Sequence, residues 1–268
     1  MLRIFKSVFA LYILAAVIGL VGFVVSGTTV VNDVEYGFGL SIFEGLVLFF
    51  IWIIFVIIIL YRIVGKKLAK INKLLDDCKV SECVSAYEKL SKNPAGEKGR
   101  MFIHLSLSTG YIYLGDTERL KQSLDKVLPN VLKSRRSIDG LVEYYNNYIL
   151  YYLSIDDIES AEECLQKMKA AYDNPRVSQF RKVSYDNNYM NKRIRINIEK
   201  GEFDGAEAYY KLLLETKKKK IEKVAIHYSL GEVYTHYGRT DEAKAAFSYC
   251  VEHGGDTIYV SKSKEKLI

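Results

Sequence analysis

The stretch from Ile42 to Val64, IFEGLVLFFIWIIFVIIILYRIV, constrains the fold more than any other part of the chain. It is long enough to cross the hydrocarbon layer of a membrane, which takes about 20 helical residues. Its many β-branched residues would favour a strand in water, but a segment inside lipid must satisfy its own backbone hydrogen bonds. We therefore expect a transmembrane helix over residues 42–64.

A second apolar run, from Ser7 to Val25, precedes this stretch and contains no charged residue. It predicts a first transmembrane helix over about residues 7–28. A cleaved signal peptide is the alternative, because Arg3 and Lys6 precede the run. The exit sequence SGTTVV is a poor cleavage site, and another apolar stretch follows at once. Residues 1–65 are therefore expected to form a membrane anchor with two spans.

The charges beside the two spans predict how they are oriented. The connecting loop contains Asp33 and Glu35 but no Lys or Arg, whereas Arg3 and Lys6 precede the first span. Five cations follow the second span: Arg62, Lys66, Lys67, Lys70 and Lys73. The positive-inside rule then places both termini on the cytoplasmic side of the cell's inner membrane. These five residues are expected to contact anionic lipid headgroups, each gaining on the order of 1 kcal/mol.

The composition changes after Gly65. Residues 66–268 are charged and rich in tyrosine, and the whole chain contains only 3 prolines. Apolar residues recur there at helical intervals, for example at Leu68, Ile71, Leu74 and Leu75. We expect an all-α cytoplasmic domain over residues 66–268, with a leading helical hairpin and a solvent-facing cap helix that starts at Val260.

Small and aromatic residues recur at fixed intervals between Ala225 and Cys250: Leu230, Gly231, Tyr234, Gly238, Ala243 and Phe247. Gly231 lets a neighbouring helix approach closely. Gly238 ends the first helix where a left-handed residue costs least, and Thr240 or Asp241 can cap the second. This pattern resembles the tetratricopeptide repeat. A single hairpin of this kind cannot bury its own apolar face and must stack on neighbours.

Three earlier segments carry degenerate copies of the same pattern, with Gly115, Asp156 and Gly201 at the place of Gly238. The copies are farther apart than the family's basic period of about 34 residues, so the loops or adjoining helices must absorb the excess. Arg193 and Asn197 depart from the pattern where Leu and Tyr would be usual. The resemblance implies an α-solenoid of about four helical hairpins with one concave face.

The resemblance also implies a groove that binds an extended or helical peptide through the first helix of each pair. The groove positions are Asn146, Leu150, Asn188, Asn191, Arg195, Tyr228, Glu232 and His236. Asn side chains can bond both peptide N–H and C=O groups, and Arg195 can pair with a carboxylate. This is loosely similar to the Asn and Lys clamp with which some family members hold a terminal carboxylate. Asn147 and Lys192 could serve instead, and the alternative is a solvated polar face.

Catalytic and cofactor motifs are absent from the sequence: it has no phosphate-binding Gly loop, nucleophile elbow or metalloprotease helix. We therefore expect neither an enzyme nor a bound cofactor or metal. His104 and His227 occupy the same repeat position and are interpreted as packing residues. The 4 cysteines are interpreted as small buried side chains. Nucleic acid is not an expected partner, because the tyrosines coincide with packing positions.

Two functions follow as expectations. The first is a membrane-anchored scaffold that recruits a protein or peptide partner at the cytoplasmic membrane face through its groove. The alternative is an accessory subunit of a membrane transporter or secretion complex, in which the spans make the functional contact. Changes in the groove that leave the spans intact distinguish the two.

Overall fold

The computed structural model describes residues 30–31, 34–35, 42–94, 96–132, 138–173, 175 and 177–268. The first expected span, over residues 7–28, lies outside the described residues. The structure divides the chain into two units between Lys70 and Ile71. The sequence boundary was expected after Gly65. Each unit is described by itself below.

The first unit contains two short strands and most of a long helix. Strands β1 (Val30–Val31) and β2 (Val34–Glu35) pair antiparallel, with Val31 opposite Val34. Helix α1 spans Ile42–Asp76. Many of its large apolar side chains are exposed: Phe50, Ile51, Trp52, Ile54, Phe55, Ile57, Ile58, Ile59 and Ile63. Within the described part of the chain, no helix was found with the length and apolar character that crossing a membrane requires.

The second unit is all-helical over its described residues, which confirms the expected all-α class there. Its helices are α2 (Val80–Ser91), α3 (Gly96–Leu114), α4 (Thr117–Leu124), α5 (Pro129–Leu132), α6 (Ile138–Ser154), α7 (Ile158–Tyr172), α8 (Gln179–Glu199), α9 (Ala206–Thr216), α10 (Lys220–His236), α11 (Thr240–His253) and α12 (Ile258–Leu267). Helix α3 packs on α4, α6 on α7, and α10 on α11. Helix α6 also contacts α3 and α8, and α8 packs on α7 rather than on α9.

The same turn follows the first helix of each pair. Gly115, Asp156, Gly201 and Gly238 all have positive φ, at 71°, 58°, 83° and 70°. The next residue's N–H then reaches back to a carbonyl of the last helical turn, as in Arg239 to Tyr234 at 2.9 Å and Asp116 to Tyr111 at 3.0 Å. This left-handed cap satisfies carbonyls that the helix end leaves unpaired. The four positions aligned from the sequence therefore share one backbone conformation.

A fifth copy of this turn ends α1. Cys78 has a φ of 61°, and the Lys79 N–H donates to the Leu74 carbonyl at 2.8 Å. A residue with a β-carbon is unfavourable in the left-handed region, which glycine usually occupies. Because this position is a cysteine, the sequence does not mark it as such a turn. The end of α1 and helix α2 therefore begin the array with the same turn as the later pairs.

The second helices begin with different caps. The Asp116 carboxylate accepts from the Arg119 N–H at 2.9 Å, and Asp157 accepts from the Ser160 N–H at 3.0 Å. Each satisfies an amide that the helix start leaves unpaired. The expectation that Thr240 or Asp241 caps α11 was wrong. The cap residue is Arg239, which makes no side-chain capping bond, because the helix already begins at Thr240.

The core lies between the helix pairs. Ile149, Met168 and Tyr172 are fully buried in a cluster that joins α6, α7 and α8. In the last pair, a β-carbon added at Gly231 would lie 2.5 Å from a ring carbon of Phe247. This confirms the expected close approach at Gly231, since no larger residue fits there without displacing the ring.

Helix α12 returns to the beginning of the array. It starts at Ile258, two residues before the expected Val260, and packs on α11 and α3. A β-carbon added at Gly115 would lie 2.7 Å from Ile258 Cδ1, and the Tyr259 and Tyr113 rings are 6.3 Å apart. The helix keeps the expected exposed face, with Lys262, Lys264 and Glu265, but it also has a second partner, distant in sequence, that the sequence did not predict.

Asp256 holds the same segment against α2. Its carboxylate oxygens accept from the N–H groups of Val80 at 2.6 Å and Ser81 at 2.7 Å. These amides belong to the first turn of α2, whose own cap residue, Lys79, makes no side-chain capping bond. Asp256 thus caps a helix that precedes it by more than half of the chain. We call this contact the Asp256 clasp.

Candidate binding cavity

A cavity of about 580 Å³ lies within the second unit. The first helices of the pairs supply most of its wall: α3 contributes Tyr113, α6 contributes Asn146, α8 contributes Asn191 and α10 contributes Ser229. Tyr259 of α12 also lines it, so the returning helix forms part of the wall. Its volume is within the range of about 300–1,000 Å³ that is typical of small-ligand sites.

Helical periodicity explains why the wall is polar. Asn187, Asn188, Asn191, Lys192 and Arg195 recur at intervals that place them on one face of α8, and all five line the cavity. The buried residues Tyr185 and Ile196 border this face next to Lys192, and Ile198 lies in line with it nearer the end of the helix. Polar wall and core contacts therefore meet along one side of α8, and the other side, with Asp186 and Arg193, is exposed.

The structure brings five of the eight expected groove residues to this cavity: Asn146, Leu150, Asn188, Asn191 and Arg195. They come from α6 and α8, which contact each other directly. The sequence pattern therefore located two adjacent parts of one wall. The Arg195 side chain is 20% exposed, whereas Asn188 is open to solvent.

The three expected residues on α10 do not line the cavity. Tyr228 is buried and packs 5.7 Å from the Phe247 ring and 5.2 Å from the Tyr259 ring. His236 is exposed and stacks on Phe203 at 3.8 Å. Helix α10 instead presents Ala225 and Ser229. The expected face was one residue off, a rotation of about 100° around a helix axis.

Glu232 does not line the cavity itself but lies beside Arg195, which does. Its Oε2 lies 3.7 Å from Arg195 Nη1 and has no hydrogen-bond partner among the described atoms. Arg195 also donates to the Ser229 hydroxyl at 3.2 Å and pairs with Glu199 at 3.4 Å. The guanidinium therefore ties α8 to α10 at the cavity wall. Its charge is already balanced by two carboxylates.

Asn147 supports the wall. It is fully buried, and its amide nitrogen donates to the Ser108 hydroxyl at 2.9 Å and to the Thr109 hydroxyl at 3.1 Å. Its oxygen accepts from the Asn146 amide at 3.0 Å. Asn147 thus fixes α6 against α3 and orients the neighbouring Asn146. A buried amide with its bonds satisfied in this way is positioned to hold structure.

Two further cations of the wall are paired with carboxylates. Lys217 Nζ lies 2.9 Å from Glu222, and Lys219 Nζ lies 3.1 Å from Asp76. Both pairs link the segment before α10 to the body of the unit. The charges of these two lysines are therefore largely neutralised within the protein.

Lys192 differs from these cations. Among the described residues it forms no ion pair, and its ammonium donates only to the Asn191 side-chain oxygen, at 3.4 Å. Desolvation by burial lowers the pKa of Lys192 to about 8, with Glu143 acting against this and Arg195 and Lys217 adding to it. Among the described residues, this cation thus has no carboxylate within ion-pair distance, although Glu143 lines the same cavity.

Tyrosine side chains complete the wall, and none of them is Tyr228, the one tyrosine that the sequence assigned to the groove. Tyr113, Tyr209, Tyr210 and Tyr259 all line the cavity. Burial raises the pKa of Tyr113 and of Tyr259, so both phenols stay protonated at neutral pH. No local signal identifies them, because their meeting depends on the return of α12 to α3.

The remaining candidate groups lie in packed surroundings. His104 is buried and its Nδ1 has no partner among the described atoms, while His227 stacks on Tyr249 at 3.8 Å. Burial lowers the pKa of both histidines. All 4 cysteines are buried thiols, and burial raises their pKa to about 11. The described residues contain no His, Cys, Asp or Glu group arranged to hold a metal ion.

The five cations expected at lipid headgroups are exposed on α1. Arg62, Lys66, Lys70 and Lys73 follow one another at intervals of three or four residues, so they share one face of the helix. Lys67 is adjacent to that face. The arrangement gives α1 a basic stripe directly after its apolar stretch.

Comparison with known proteins adds no relative to this description. The likeness to tetratricopeptide repeats therefore rests on the residues and on the recurring turn. No family of known proteins matches the chain, and no curated protein matches it.

Proposed function

We propose that this chain is a membrane-attached scaffold of the tetratricopeptide type, which holds a segment of a partner protein in the cavity of its helical unit. The observation that carries the proposal is the polar wall formed by the first helices of successive pairs. Its amides both donate and accept hydrogen bonds, as an extended peptide backbone requires. Protein partners rather than chemistry are favoured, because no catalytic constellation accompanies this wall.

The fixed positions of the wall support this function. Asn147 holds α6 against α3, and Arg195 joins α8 to α10. A site whose side chains are held before binding loses less conformational entropy when the ligand arrives. The cavity is therefore suited to recognise a short segment, such as one or two side chains of a partner, rather than a long helix.

The membrane attachment rests on the sequence of residues 42–64. Within α1, the side chains of residues 42–49, 60 and 61 lie outside the described set, so the longest described apolar run is residues 50–59. The whole stretch exceeds the length that a span requires. The exposed Phe50, Phe55 and Ile57 would be an unusually large apolar surface in water. The basic stripe after it favours a cytoplasmic position for residues 66–268.

A second function is favoured by the same helix. Consecutive residues such as Ile57, Ile58 and Ile59 are all exposed, so apolar surface surrounds α1 on more than one side. Such a helix can contact other membrane helices as well as lipid. The alternative is an accessory subunit of a membrane transporter or secretion complex that acts through its spans.

Co-purification from native membranes after brief crosslinking tests the two functions. The full chain is compared with the double variant Asn188→Ala, Asn191→Ala, which removes two amides from the wall. The matched control is Asn93→Ala, at an exposed position after α2. The scaffold function predicts that the double variant alone loses a specific partner. Retention of every partner by the double variant contradicts it and favours contact through the spans.

A further inference from the structure

Helix α8 carries an apolar stripe on its exposed side. Phe180, Val183 and Met190 are 88%, 56% and 41% exposed, and Ile194 is half-buried. Their spacing of three, seven and four residues places them within about a quarter of the circumference of the helix, over a length of about 21 Å. We call these four residues the Phe180 stripe.

We propose that the Phe180 stripe lies on an anionic lipid surface and gives the helical unit a membrane contact of its own. This contact rests on the membrane attachment proposed above, because an attached chain always has a bilayer available. It adds to the proposed function, since the cavity remains the place for the partner segment.

Elsewhere in the described part of the second unit, exposed large apolar residues stand singly. Each comes from a different helix, loop or chain end: Phe102, Leu128, Ile155, Leu212, Tyr237 and Ile268. Single residues of this kind are ordinary on a protein surface, whereas several together mark an interaction site. The three exposed residues that share one face of α8 therefore indicate a surface that is covered in the working protein.

The charges beside the Phe180 stripe favour anionic lipid as its occupant. Lys182 and Arg193 lie on the side of α8 next to Met190, and neither forms an ion pair among the described residues. The carboxylate between them, Asp186, is already paired with Lys169 at 3.0 Å. The unbalanced charge on this side of the helix is therefore positive, which complements the negative surface of a cytoplasmic leaflet.

Two other occupants fit this surface less well. A two-fold contact between copies of the chain would bring the cations of both copies together, and like charges repel. A separate protein must find the stripe by diffusion, whereas a bilayer that holds residues 42–64 makes the lipid contact intramolecular. Large apolar side chains next to cations on one exposed helix are also typical of helices that lie in the membrane interface.

The lipid contact has a consequence for the cavity. Asn187 lies within the arc of the Phe180 stripe, Asn191 lies beside it, and both line the cavity. A stripe that rests on lipid therefore holds these wall residues close to the headgroups. The cavity is then placed to take a partner segment that lies next to the membrane.

Lipid quenching tests this contact in the full chain, reconstituted at one copy per nanodisc. All 4 native cysteines are buried, so Asn187→Cys can be labelled selectively with a fluorophore while the stripe itself stays intact. The matched control is Asn93→Cys, at an exposed position after α2. In nanodiscs of phosphatidylcholine and phosphatidylserine with a spin-labelled lipid, we expect quenching at position 187 to exceed that at position 93 about twofold or more. Equal quenching at the two positions would overturn the inference.

Two pairs of substitutions assign the quenching to the stripe and to its cations. Phe180→Ser with Val183→Ser should reduce quenching at position 187 to the level of position 93, whereas Leu128→Ser, at a single exposed residue, should leave it unchanged. Lys182→Gln with Arg193→Gln should remove the difference between nanodiscs with and without phosphatidylserine. Circular dichroism confirms that each variant is folded. Full quenching in the folded Phe180, Val183 double variant refutes the assignment.

The same samples separate failure of the stripe contact from failure of the membrane attachment. If the chain enters the nanodisc and position 187 is not quenched, the stripe contact is wrong and the attachment stands. If the chain stays outside the nanodisc, the attachment is wrong and the stripe contact falls with it. A label at position 187 that is shielded only when a partner protein is added would show that a protein covers the stripe, which also overturns the inference.

Discussion

The pairs α10–α11 and α8–α9 begin from the same turn and use their residues differently. Gly238 and Gly201 have φ values of 70° and 83°, and both are followed by the same backward hydrogen bond. Helix α10 buries nine residues, from Ile221 to Tyr234, whereas the longer α8 buries three. Helices α10 and α11 pack closely on each other, whereas α8 and α9 make hardly any contact. The shared turn alone therefore does not close a hairpin, and the side chains decide whether a helix becomes core or cavity wall.

Departures from the repeat pattern acquire a physical meaning in this comparison. Arg193 and Asn197 stand where α10 has Leu230 and Tyr234. Helix α8 loses core contacts there and presents Asn191, Lys192 and Arg195 to the cavity. A degenerate repeat copy is thus the place where binding surface is expected.

The largest difference in the free energy of unfolding is expected between variants in the core of one pair and in the cavity wall of the other. Phe247→Ala removes a fully buried ring that packs on Gly231 and should lower the free energy of unfolding by about 3–5 kcal/mol. Asn191→Ala on α8 should change it by no more than about 0.5 kcal/mol. Urea unfolding of the two variants measures this. Equal losses would contradict the division between core and wall.

A smaller loss of stability is expected at Asn147, which supports the cavity wall. Asn147→Ala removes a buried amide and leaves the Asn146 amide and the Ser108 and Thr109 hydroxyls without it, at about 1–3 kcal/mol. The neighbouring Asn146→Ala should lose less, because Asn146 is only half-buried. Thermal unfolding compares them. A greater loss at Asn146 would show that the support has been assigned to the wrong residue.

Replacing the glycine of a left-handed turn should cost a similar amount of stability wherever the added β-carbon has space. Gly201→Ala and Gly238→Ala each place a β-carbon in the left-handed region with no atom within 4 Å, so each should lose about 1–2 kcal/mol. Gly115→Ala should lose more, since the added carbon also meets Ile258. Chemical denaturation gives the three values. A loss at Gly115 equal to the others would mean that α12 does not press on this turn.

The smallest effect concerns the Asp256 clasp and its pH dependence. Burial alone would raise the pKa of Asp256, but hydrogen bonds from Ser81 and Val80 outweigh it, and the pKa is lowered. The clasp therefore stabilises the fold above about pH 4 and loses this contribution as pH falls further. Asp256→Asn should reduce stability at pH 7 by about 0.5–2 kcal/mol. It should also flatten the acid limb of the pH–stability curve, and an unchanged limb would exclude the clasp.

Local chemistry explains which features the sequence predicts. Gly115, Gly201 and Gly238 mark turns because their own backbone conformation demands glycine, and Gly231 predicts the approach of Phe247 across a short hairpin. Five wall residues on α6 and α8 followed from the resemblance to the repeat, which places groove residues on the first helix of each pair. All of these depend on neighbours that are close in the chain.

The features that were missed depend on distant contacts. Nothing in the local sequence predicts that the Tyr228 ring packs on Phe247 and Tyr259. The sequence around Val260 likewise does not predict that α12 contacts α3. The closing of the cavity by Tyr259 and the capping of α2 by Asp256 likewise join residues from opposite ends of the unit. Periodicity describes one helix face at a time and cannot state which element covers it.

The most direct test of the central claim is photo-crosslinking from the cavity wall in intact membranes. A photoreactive residue is placed at Asn191 and, for comparison, at Asn93 and at Trp52. The account predicts that one partner protein is crosslinked from position 191, that position 93 gives none, and that Asn188→Ala weakens the crosslink. A partner crosslinked only from position 52 would contradict it, because the functional contact would then lie on α1.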